Sequence, residues 1–294
     1  MRIIILGDIV GTPGRQAVTQ AVPQLREQYT PDLIIANAEN SSNGTGLTPD
    51  HYKKLQNAGV DAFTLGDHVY KKNHIIGVLQ NQPNIIRPAN ISHKAIGPRF
   101  MKLIPQPAPD APNTKWPAVY VFTVLGRLFM SMPSSDPFAC CDELIQDIKR
   151  HDPQAIIITE VHAEATSEKV APGWYLNQRV ACVFGTHTHI PTADARILPP
   201  TLSDGSIADR PSPRGTAYIT DLGMCGPTGS VLGRRVDRVL AHMTTQMPAP
   251  FDVATVSPVV SGIVLDIDPD TGLSTDIQRI ELPADTNRPP FVAG

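Results

Sequence analysis

The segment RIIILGDIVGTPG, residues 2–14, indicates a strand followed by a helix. A short apolar run that ends in glycine and aspartate is typical of a buried strand, and the Thr12-Pro13 pair behind it is a helix start signal. Residues 33–38, 62–65 and 84–87 repeat the apolar run, with amphipathic segments between them. This alternation predicts strands joined by helices around an open sheet.

The rest of the chain predicts strands of two kinds and one further helix. Apolar runs that predict buried strands occupy residues 118–125, 155–161, 181–184 and 216–220. Residues 135–150 have the apolar spacing of a helix. Alternating apolar and polar residues, which are typical of antiparallel strands, occupy residues 253–256, 262–267 and 277–282. We therefore expect a mixed α/β fold with two sheets.

Composition places the chain among globular proteins. Of its 294 residues 41% are hydrophobic and 18% charged, which excludes disordered and fibrous classes. The net charge of −3 gives no general attraction to nucleic acid or to an anionic membrane. We find neither a signal peptide nor an apolar run of membrane-spanning length, so the cytoplasm is the predicted location. The cysteines lack CxxC spacing and predict reduced thiols: Cys140, Cys141, Cys182 and Cys225.

Proline clusters indicate where compact structure is interrupted. The 29 prolines concentrate in residues 105–117, in residues 199–213 and after residue 283. No linker is clean enough to divide the chain. We predict one domain over residues 1–294, with a surface loop at residues 201–214 and a flexible tail from about residue 283.

Polar side chains with metal-ligand chemistry end several of the apolar runs. They are Asp8, Glu39 with Asn40, Asp67 with His68, His162, and His187 with His189. Because the carboxyl ends of strands in an open α/β sheet meet in one crevice, we expect these side chains to converge. Carboxylate, amide and imidazole donors without thiolate suit ions such as Mn, Fe or Zn. The pattern predicts a two-metal hydrolase.

Each of these signals is weak alone. An aspartate such as Asp8 behind a strand caps a turn more often than it binds a metal. The glycines of residues 7–14 fit neither GxGxxG nor GxxxxGK[ST], which disfavours a nucleotide-binding oxidoreductase. The strongest signal is GTHTH at residues 185–189, because two imidazoles one residue apart in an extended strand point to the same side. The alternative is a half-exposed strand with two polar positions. The remaining histidines are predicted to be surface or loop residues: His51, His74, His93, His151 and His242.

The order of the motifs resembles that of the bacterial YmdB-like metallophosphoesterases. The motifs are GDIVGTPGR (7–15), NAEN (37–40), GDH (66–68), RPAN (87–90), HAEATSEK (162–169), GTHTH (185–189) and GTAYITD (215–221). The resemblance covers nearly the whole chain. It implies a four-layer α/β/β/α sandwich of two mixed sheets, the calcineurin-like metallophosphoesterase fold. It also implies a homo-oligomer with two metal ions, most often Fe or Mn, with Zn or Mg as alternatives, and phosphodiesterase activity on 2′,3′-cyclic nucleotides and related diesters.

The resemblance also implies a role for each site residue. One ion would be held by Asp8, Glu39 and His189, and the other by Glu39, Asp67, His162 and His187, with Glu39 as the bridge. Asn40 would lie beside the site. His68 would stabilise or protonate the leaving group while a hydroxide held between the ions attacks phosphorus.

Two features depart from the family pattern. The family usually reads Gly-Asn-His where this chain reads Gly66-Asp67-His68. A third carboxylate predicts tighter metal retention and slower or altered diester turnover. It leaves open a second hypothesis, a regulatory or ligand-binding protein that keeps the metal site but has little catalysis. The expected partner is a small phosphodiester, with RNA as a further candidate. The second departure is residues 201–214, which we predict to be an insertion.

Overall fold

A computed structural model describes residues 1–105, 115–210 and 212–284, which contain six α-helices and two β-sheets. The strands are β1 (Arg2–Leu6), β2 (Asp8–Ile9), β3 (Leu33–Asn37), β4 (Ala62–Thr64), β5 (Phe100–Leu103), β6 (Val119–Leu125), β7 (Ile156–His162), β8 (Cys182–Thr186), β9 (Arg196–Ile197), β10 (Ala217–Ile219), β11 (Met224–Pro227), β12 (Pro258–Asp268) and β13 (Leu273–Pro283). The helices are α1 (Gly11–Tyr29), α2 (Pro49–Asn57), α3 (Ile75–Asn81), α4 (Pro137–His151), α5 (Thr166–Tyr175) and α6 (Val236–Thr245).

Both sheets mix parallel and antiparallel pairs. The first sheet has the order β2-β11-β12-β1-β3-β4, and β13 pairs with β12. In it β1 is parallel to β3 but antiparallel to β12, with Arg2 opposite Asp266. The second sheet has the order β5-β6-β7-β8-β10-β9, in which the four central strands are parallel and both edge strands antiparallel.

The strands alternate their side chains between two apolar layers. In β1, Ile3 and Ile5 belong to the layer between the sheets, whereas Ile4 and Leu6 face the layer that contains α1, α2 and α3. Residues of β7 alternate in the same way, between the inner layer and a third cluster with α4. These layers confirm the predicted α/β/β/α sandwich, and they place the carboxyl ends of β3, β4, β7 and β8 near one another.

Two predicted strands are absent from the described residues. Residues 84–87 form only one isolated bridge, between Ile85 and Phe63, because proline follows Arg87 and precedes Asn84 and cannot donate to a ladder. Residues 253–256 are a loop whose backbone bonds to residues 229–235 instead of a neighbouring strand. The alternating pattern at residues 262–267 and 277–282, by contrast, lies in the antiparallel pair β12 and β13.

The predicted loop at residues 201–214 is mostly exposed where it is described, with Ala208 and Ser212 partly buried. Thr201 and Ile207 form an isolated bridge within it. That this loop is an insertion, and that the chain forms one domain, stay predictions. The tail predicted from about residue 283 lies almost wholly outside the described residues, since β13 continues to Pro283. None of the described helices has the length and apolarity required to cross a membrane.

Candidate metal centre

Four side chains with metal-ligand chemistry meet at the carboxyl ends of the strands. Glu39, Asp67, His162 and His187 each offer one ligand atom, and these atoms all lie within 4.8 Å of one another. The Nε2 atom of His162 lies 3.2 Å from Glu39 Oε1 and 3.2 Å from Asp67 Oδ1. His187 Nδ1 is 3.1 Å from His162 Nε2. Two carboxylate oxygens and two imidazole nitrogens are therefore close enough together to bind the same metal ion.

Both sheets contribute to this cluster. Glu39 follows β3 and Asp67 follows β4 in the first sheet, while His162 ends β7 and His187 follows β8 in the second. The approach is tight, because a Cβ atom on Gly66 would overlap the His162 imidazole. Glycine before Asp67 is thus required by the packing of one sheet end against the other.

A second group of predicted ligands adjoins the first. Asp8 Oδ1 lies 3.9 Å from His189 Nε2, and Asp8 Oδ2 accepts a hydrogen bond of 3.2 Å from the His187 backbone N–H. Asp8 is fully buried, and its Oδ1 atom has no hydrogen-bond partner. A buried carboxylate oxygen without a partner is costly unless a cation lies beside it. The donor set therefore fits resident metal ions, and all six predicted ligands lie in one region.

Asn40 and His68 lie at the open side of the cluster. His68 Nδ1 donates a hydrogen bond of 2.7 Å to Asn40 Oδ1, and the His68 backbone N–H donates to Glu39 Oε2 at 3.0 Å. The Asn40 amide donates to His189 Nε2 at 3.1 Å. The His68 side chain keeps 24% of its surface exposed. Asn40 therefore links the imidazole predicted for catalysis to a predicted metal ligand.

The ionisation of the cluster reflects an excess of buried carboxylate. Burial, together with the charges of Glu39 and Asp221, raises the pKa of Asp8 to about 7 against the opposing charge of His162. Burial alone would raise the pKa of Glu39, but the charge and hydrogen bond of His162 bring it below its ordinary value. Burial would likewise lower the pKa of His162, yet Glu39 and Asp67 raise it well above the usual range. The carboxylates of Asp8, Glu39 and Asp67 thus lie together around His162, an environment that favours a cation.

The GTHTH segment is not extended, contrary to the sequence-based expectation. Strand β8 ends at Thr186, and His187 and His189 have positive φ values of 91° and 66°. Left-handed backbone is uncommon outside glycine, although histidine is among the residues enriched there. The chain turns out of the sheet, so that His187 faces Asp67 while His189 faces Asp8. Both imidazoles face the cluster, but from a loop and not from alternate positions of a strand.

Glu160 supports His162 from below, a role that the sequence analysis did not assign. This fully buried carboxylate accepts hydrogen bonds from Asn37 Nδ2 at 2.7 Å and from Thr186 Oγ1 at 2.6 Å. Since the Thr186 hydrogen is given to Glu160, its oxygen accepts from His162 Nδ1 at 2.8 Å. The proton on Nδ1 leaves the Nε2 lone pair directed at the cluster. A signal was present, because alternation in β7 puts Glu160 and His162 on one face.

A buried ion pair supports the loop that carries the two histidines. Lys169 Nζ donates to Asp221 Oδ2 at 2.6 Å, and both side chains are almost wholly buried. Thr188, between His187 and His189, donates to the same Asp221 oxygen at 2.7 Å and accepts from Lys169 at 3.1 Å. Lys169 ends the motif HAEATSEK and Asp221 ends the motif GTAYITD. Their separation in the sequence does not predict that they form an ion pair.

The histidines predicted to be surface or loop residues are not equivalent. His51 bonds to Ser42, 2.8 Å away, and His151 is exposed on α4. His242 lies on α6 and is exposed, but it also lines the cavity of about 520 Å³ that contains His68 and His187. Its place beside the site depends on how α6 packs, which no local pattern reveals.

The fold and this donor set are of the metallophosphoesterase type. A novel phosphatase of Mycoplasma pneumoniae, 30% identical, has the same fold with a TM-score of 0.82, and the match covers 98% of this chain and 95% of that one. The chain belongs to the YmdB-like protein family, whose model matches residues 4–280. The resemblance inferred from the motifs is thereby confirmed.

Relatives match along nearly their whole length. The chain is 39% identical over 280 residues to the 2′,3′-cyclic-nucleotide 2′-phosphodiesterase of Bacillus subtilis, and the match covers 95% of this chain and 96% of that protein. A hypothetical protein of Thermus thermophilus, 33% identical, superposes with a TM-score of 0.82 over 97% of this chain and 100% of its own. The similarity therefore includes every segment that contributes to the metal centre.

Proposed function

We propose that this protein is a metal-dependent phosphodiesterase that hydrolyses small phosphodiesters such as 2′,3′-cyclic nucleotides. The observation that carries the proposal is the convergence of Glu39, Asp67, His162 and His187 within 4.8 Å. The unpaired Asp8 oxygen beside them supports a cation requirement. The activity named for the Bacillus subtilis relative supports the choice of substrate.

The position of Asp8 and His189 beside the four-residue cluster supports a second ion. Glu39, Asp67, His162 and His187 would hold one ion, while Asp8, Glu39 and His189 would hold the other. Mixed carboxylate and imidazole ligands suit iron or manganese, with zinc or magnesium as further candidates. Bound there, such ions would neutralise charge on the phosphoryl oxygens and lower the pKa of water.

His68 is the proposed proton donor to the leaving oxygen. Its Nδ1 atom is engaged by Asn40 Oδ1 at 2.7 Å, so Nε2 is the ring nitrogen left for a substrate. The same hydrogen bond fixes the plane of the imidazole over the cluster. Asn40 thereby acts as a positioning residue, and a protonated His68 would transfer its Nε2 proton to the oxygen released from phosphorus.

The test measures whether diester cleavage depends on metal and how two histidine variants change it. Protein stripped of metal and reloaded with Mn or Fe is expected to cleave 2′,3′-cyclic AMP and to leave a phosphomonoester largely intact. His68→Ala should keep its metal content but lose about a hundredfold in kcat, because only a proton donor is removed. His151→Ala, which changes an exposed histidine on α4, is the matched control and should retain activity.

Either of two outcomes would contradict the proposal. Absence of turnover with two ions bound per chain would favour the ligand-binding hypothesis instead. Full activity after metal removal would exclude the metal centre from the reaction. Iron or manganese as the ion, a homo-oligomeric state, RNA as a substrate and a cytoplasmic location stay predictions.

A further inference from the structure

The cavity over the metal centre extends well past the residues that would bind a phosphate. Its volume is about 520 Å³. One side consists of the polar residues of the centre, among them Glu39, Asn40 and His189. The other side is formed by the chain between β11 and β12 and is mostly apolar: Val231, Leu232, Val239, His242, Met243 and Phe251.

This second side, which we call the apolar wall, leaves large side chains uncovered. Met243 is 70% exposed, Leu232 47% and Phe251 46%. The rings of Phe251 and His242 meet edge to face, with centroids 5.3 Å apart and an interplanar angle of 78°. His242 Nδ1 donates to the Met247 carbonyl at 3.0 Å, which fixes the imidazole beside the phenyl ring. An apolar surface with a polar edge therefore faces the same cavity as the centre.

Hydrogen bonds attach the apolar wall to the metal centre. His189 Nδ1 donates to the Leu232 carbonyl at 3.0 Å. The Arg234 guanidinium donates to the carbonyls of Phe251 at 3.0 Å, Asn43 at 3.1 Å and Gly44 at 2.8 Å. One arginine thus joins the segment that carries Phe251 to the loop behind Asn40. The wall is held at a fixed place relative to the ligand His189 before any substrate arrives.

We infer that the apolar wall is the binding site for the nucleobase of the substrate, an inference that rests on the proposed function. A phosphate bound at the metal centre would fill only the polar end of the cavity and would leave the apolar wall free for the rest of the substrate. A nucleobase is planar, with apolar faces and a polar edge, and it stacks on aromatic rings and contacts thioethers such as Met243. Since stacking accepts any base, the wall selects base-bearing diesters over base-free ones and discriminates little among bases.

The electrostatics of the cavity agree with a neutral ring at this wall. Among the described residues that line the cavity, Glu164 is the only carboxylate outside the cluster; it lies 3.2 Å from His187 Nε2 and faces the metal side. The apolar wall contains no carboxylate, and the guanidinium of Arg234 is engaged by three carbonyls. A second copy of the chain could also cover exposed apolar residues of α6. The hydrogen bond from His189 favours the substrate, because it ties the wall to the reacting centre.

The experiment compares a diester with a base to one without. Wild type, Phe251→Ala and Met243→Ala are assayed with 2′,3′-cyclic AMP and with ribose 2′,3′-cyclic phosphate, at equal metal content. Phe251→Ala is expected to lower kcat/KM for cyclic AMP about tenfold, mainly through KM, and to leave the base-free diester unchanged. Ile104→Ala, an exposed apolar residue that does not line the cavity, is the control and should change neither.

Several results would overturn the inference. An equal loss of kcat/KM on both diesters would show that the apolar wall has only a structural role. No loss on either diester would show that the wall does not contact the substrate. A changed molecular mass in solution with unaltered base selectivity would assign the wall to a second copy of the chain. Met243→Ala keeps the test valid if Phe251→Ala fails to fold, since this side chain is mostly exposed. A wild type that cleaves both diesters equally well defeats only this inference, whereas one that cleaves neither defeats the proposed function as well.

Discussion

At the scale of single residues, Asp67 is the position at which we predict a departure from the usual Gly-Asn-His pattern of the family. Asp67 Oδ1 is 3.2 Å from His162 Nε2, and Oδ2 accepts from Ser131 Oγ at 3.3 Å. An asparagine amide would fill the same space and could donate to Ser131 Oγ. The exchange therefore changes the charge of the centre with little change in its shape.

We expect Asp67→Asn to raise diester turnover without loss of metal. Removing one of the carboxylates makes the centre more attractive to an anionic phosphate, by roughly tenfold in kcat/KM. Steady-state kinetics with metal analysis on the same samples measure both effects. Asp276→Asn, an exposed carboxylate on β13, is the charge-matched control. Unchanged kinetics in Asp67→Asn would show that its charge does not limit the reaction.

At the scale of secondary-structure elements, the loop between β8 and β9 depends on helix α5. Lys169 on α5 and Asp221 behind β10 enclose Thr188, which separates the two histidines of the loop. A buried ion pair contributes little net stability, but loss of one partner leaves the other charge uncompensated. The position of two predicted metal ligands therefore rests on a contact between three elements.

Lys169→Met is expected to destabilise the protein by about 3–5 kcal/mol, because it leaves the Asp221 carboxylate buried without its cation. Urea denaturation monitored by circular dichroism measures the free energy of unfolding. Lys149→Met on α4 should cost much less, because Lys149 is only partly buried and its amine donates to the carbonyls of Pro153 and Ala155. A similar loss in the free energy of unfolding in the two variants would mean that the Lys169–Asp221 ion pair matters no more for stability than the contacts of Lys149.

Some strands, loops and helices of this fold could be predicted from the sequence, and others could not. Long strands and the positions of the candidate ligands at their ends were predictable, because the run 33–38 ends directly before Glu39 and the run 155–161 directly before His162. The left-handed backbone of His187 was not, since the GTHTH letters fit an extended strand equally well. The position of Glu160 on the same face of β7 as His162 could be predicted from the sequence. Its role in orienting His162 could not, because it depends on the hydrogen bond from Thr186 on the neighbouring strand. His242 joins the cavity through the packing of α6, which depends on residues far away in sequence.

At the scale of the whole molecule, the metal centre lies across the junction of the two sheets. Asp8, Glu39 and Asp67 lie in or follow strands of the first sheet, whereas His162 ends β7 of the second sheet and the loop with His187 and His189 follows β8. Ions bound by both groups would cross-link the two halves of the sandwich. Stability should therefore depend on metal, by the free energy with which the folded state alone binds it.

Removal of metal is expected to lower the melting temperature by roughly 5–10 °C, which corresponds to about 4 kcal/mol of binding free energy at a thousandfold excess over Kd. Calorimetry before and after chelation, and again after reloading, measures the effect. His187→Ala serves as the control, because a protein that binds metal poorly should not respond to the chelator. An identical melting temperature with and without measured metal would contradict the cross-link.

The position of β12 also has a consequence for how the chain reaches this structure. β12 lies between β1 and β11, and the backbone N–H of Gly7 donates to the carbonyl of Ser261 at 3.0 Å. During synthesis β1 must keep one edge unpaired until residues 258–268 have left the ribosome. Contacts between such distant parts of a chain slow folding and expose strand edges to aggregation. Asp8, which follows Gly7, also pairs through β2 with Met224 of β11, and its backbone N–H donates to the Gly223 carbonyl at 3.2 Å. A chain that ends before these residues therefore lacks the backbone pairing that positions Asp8.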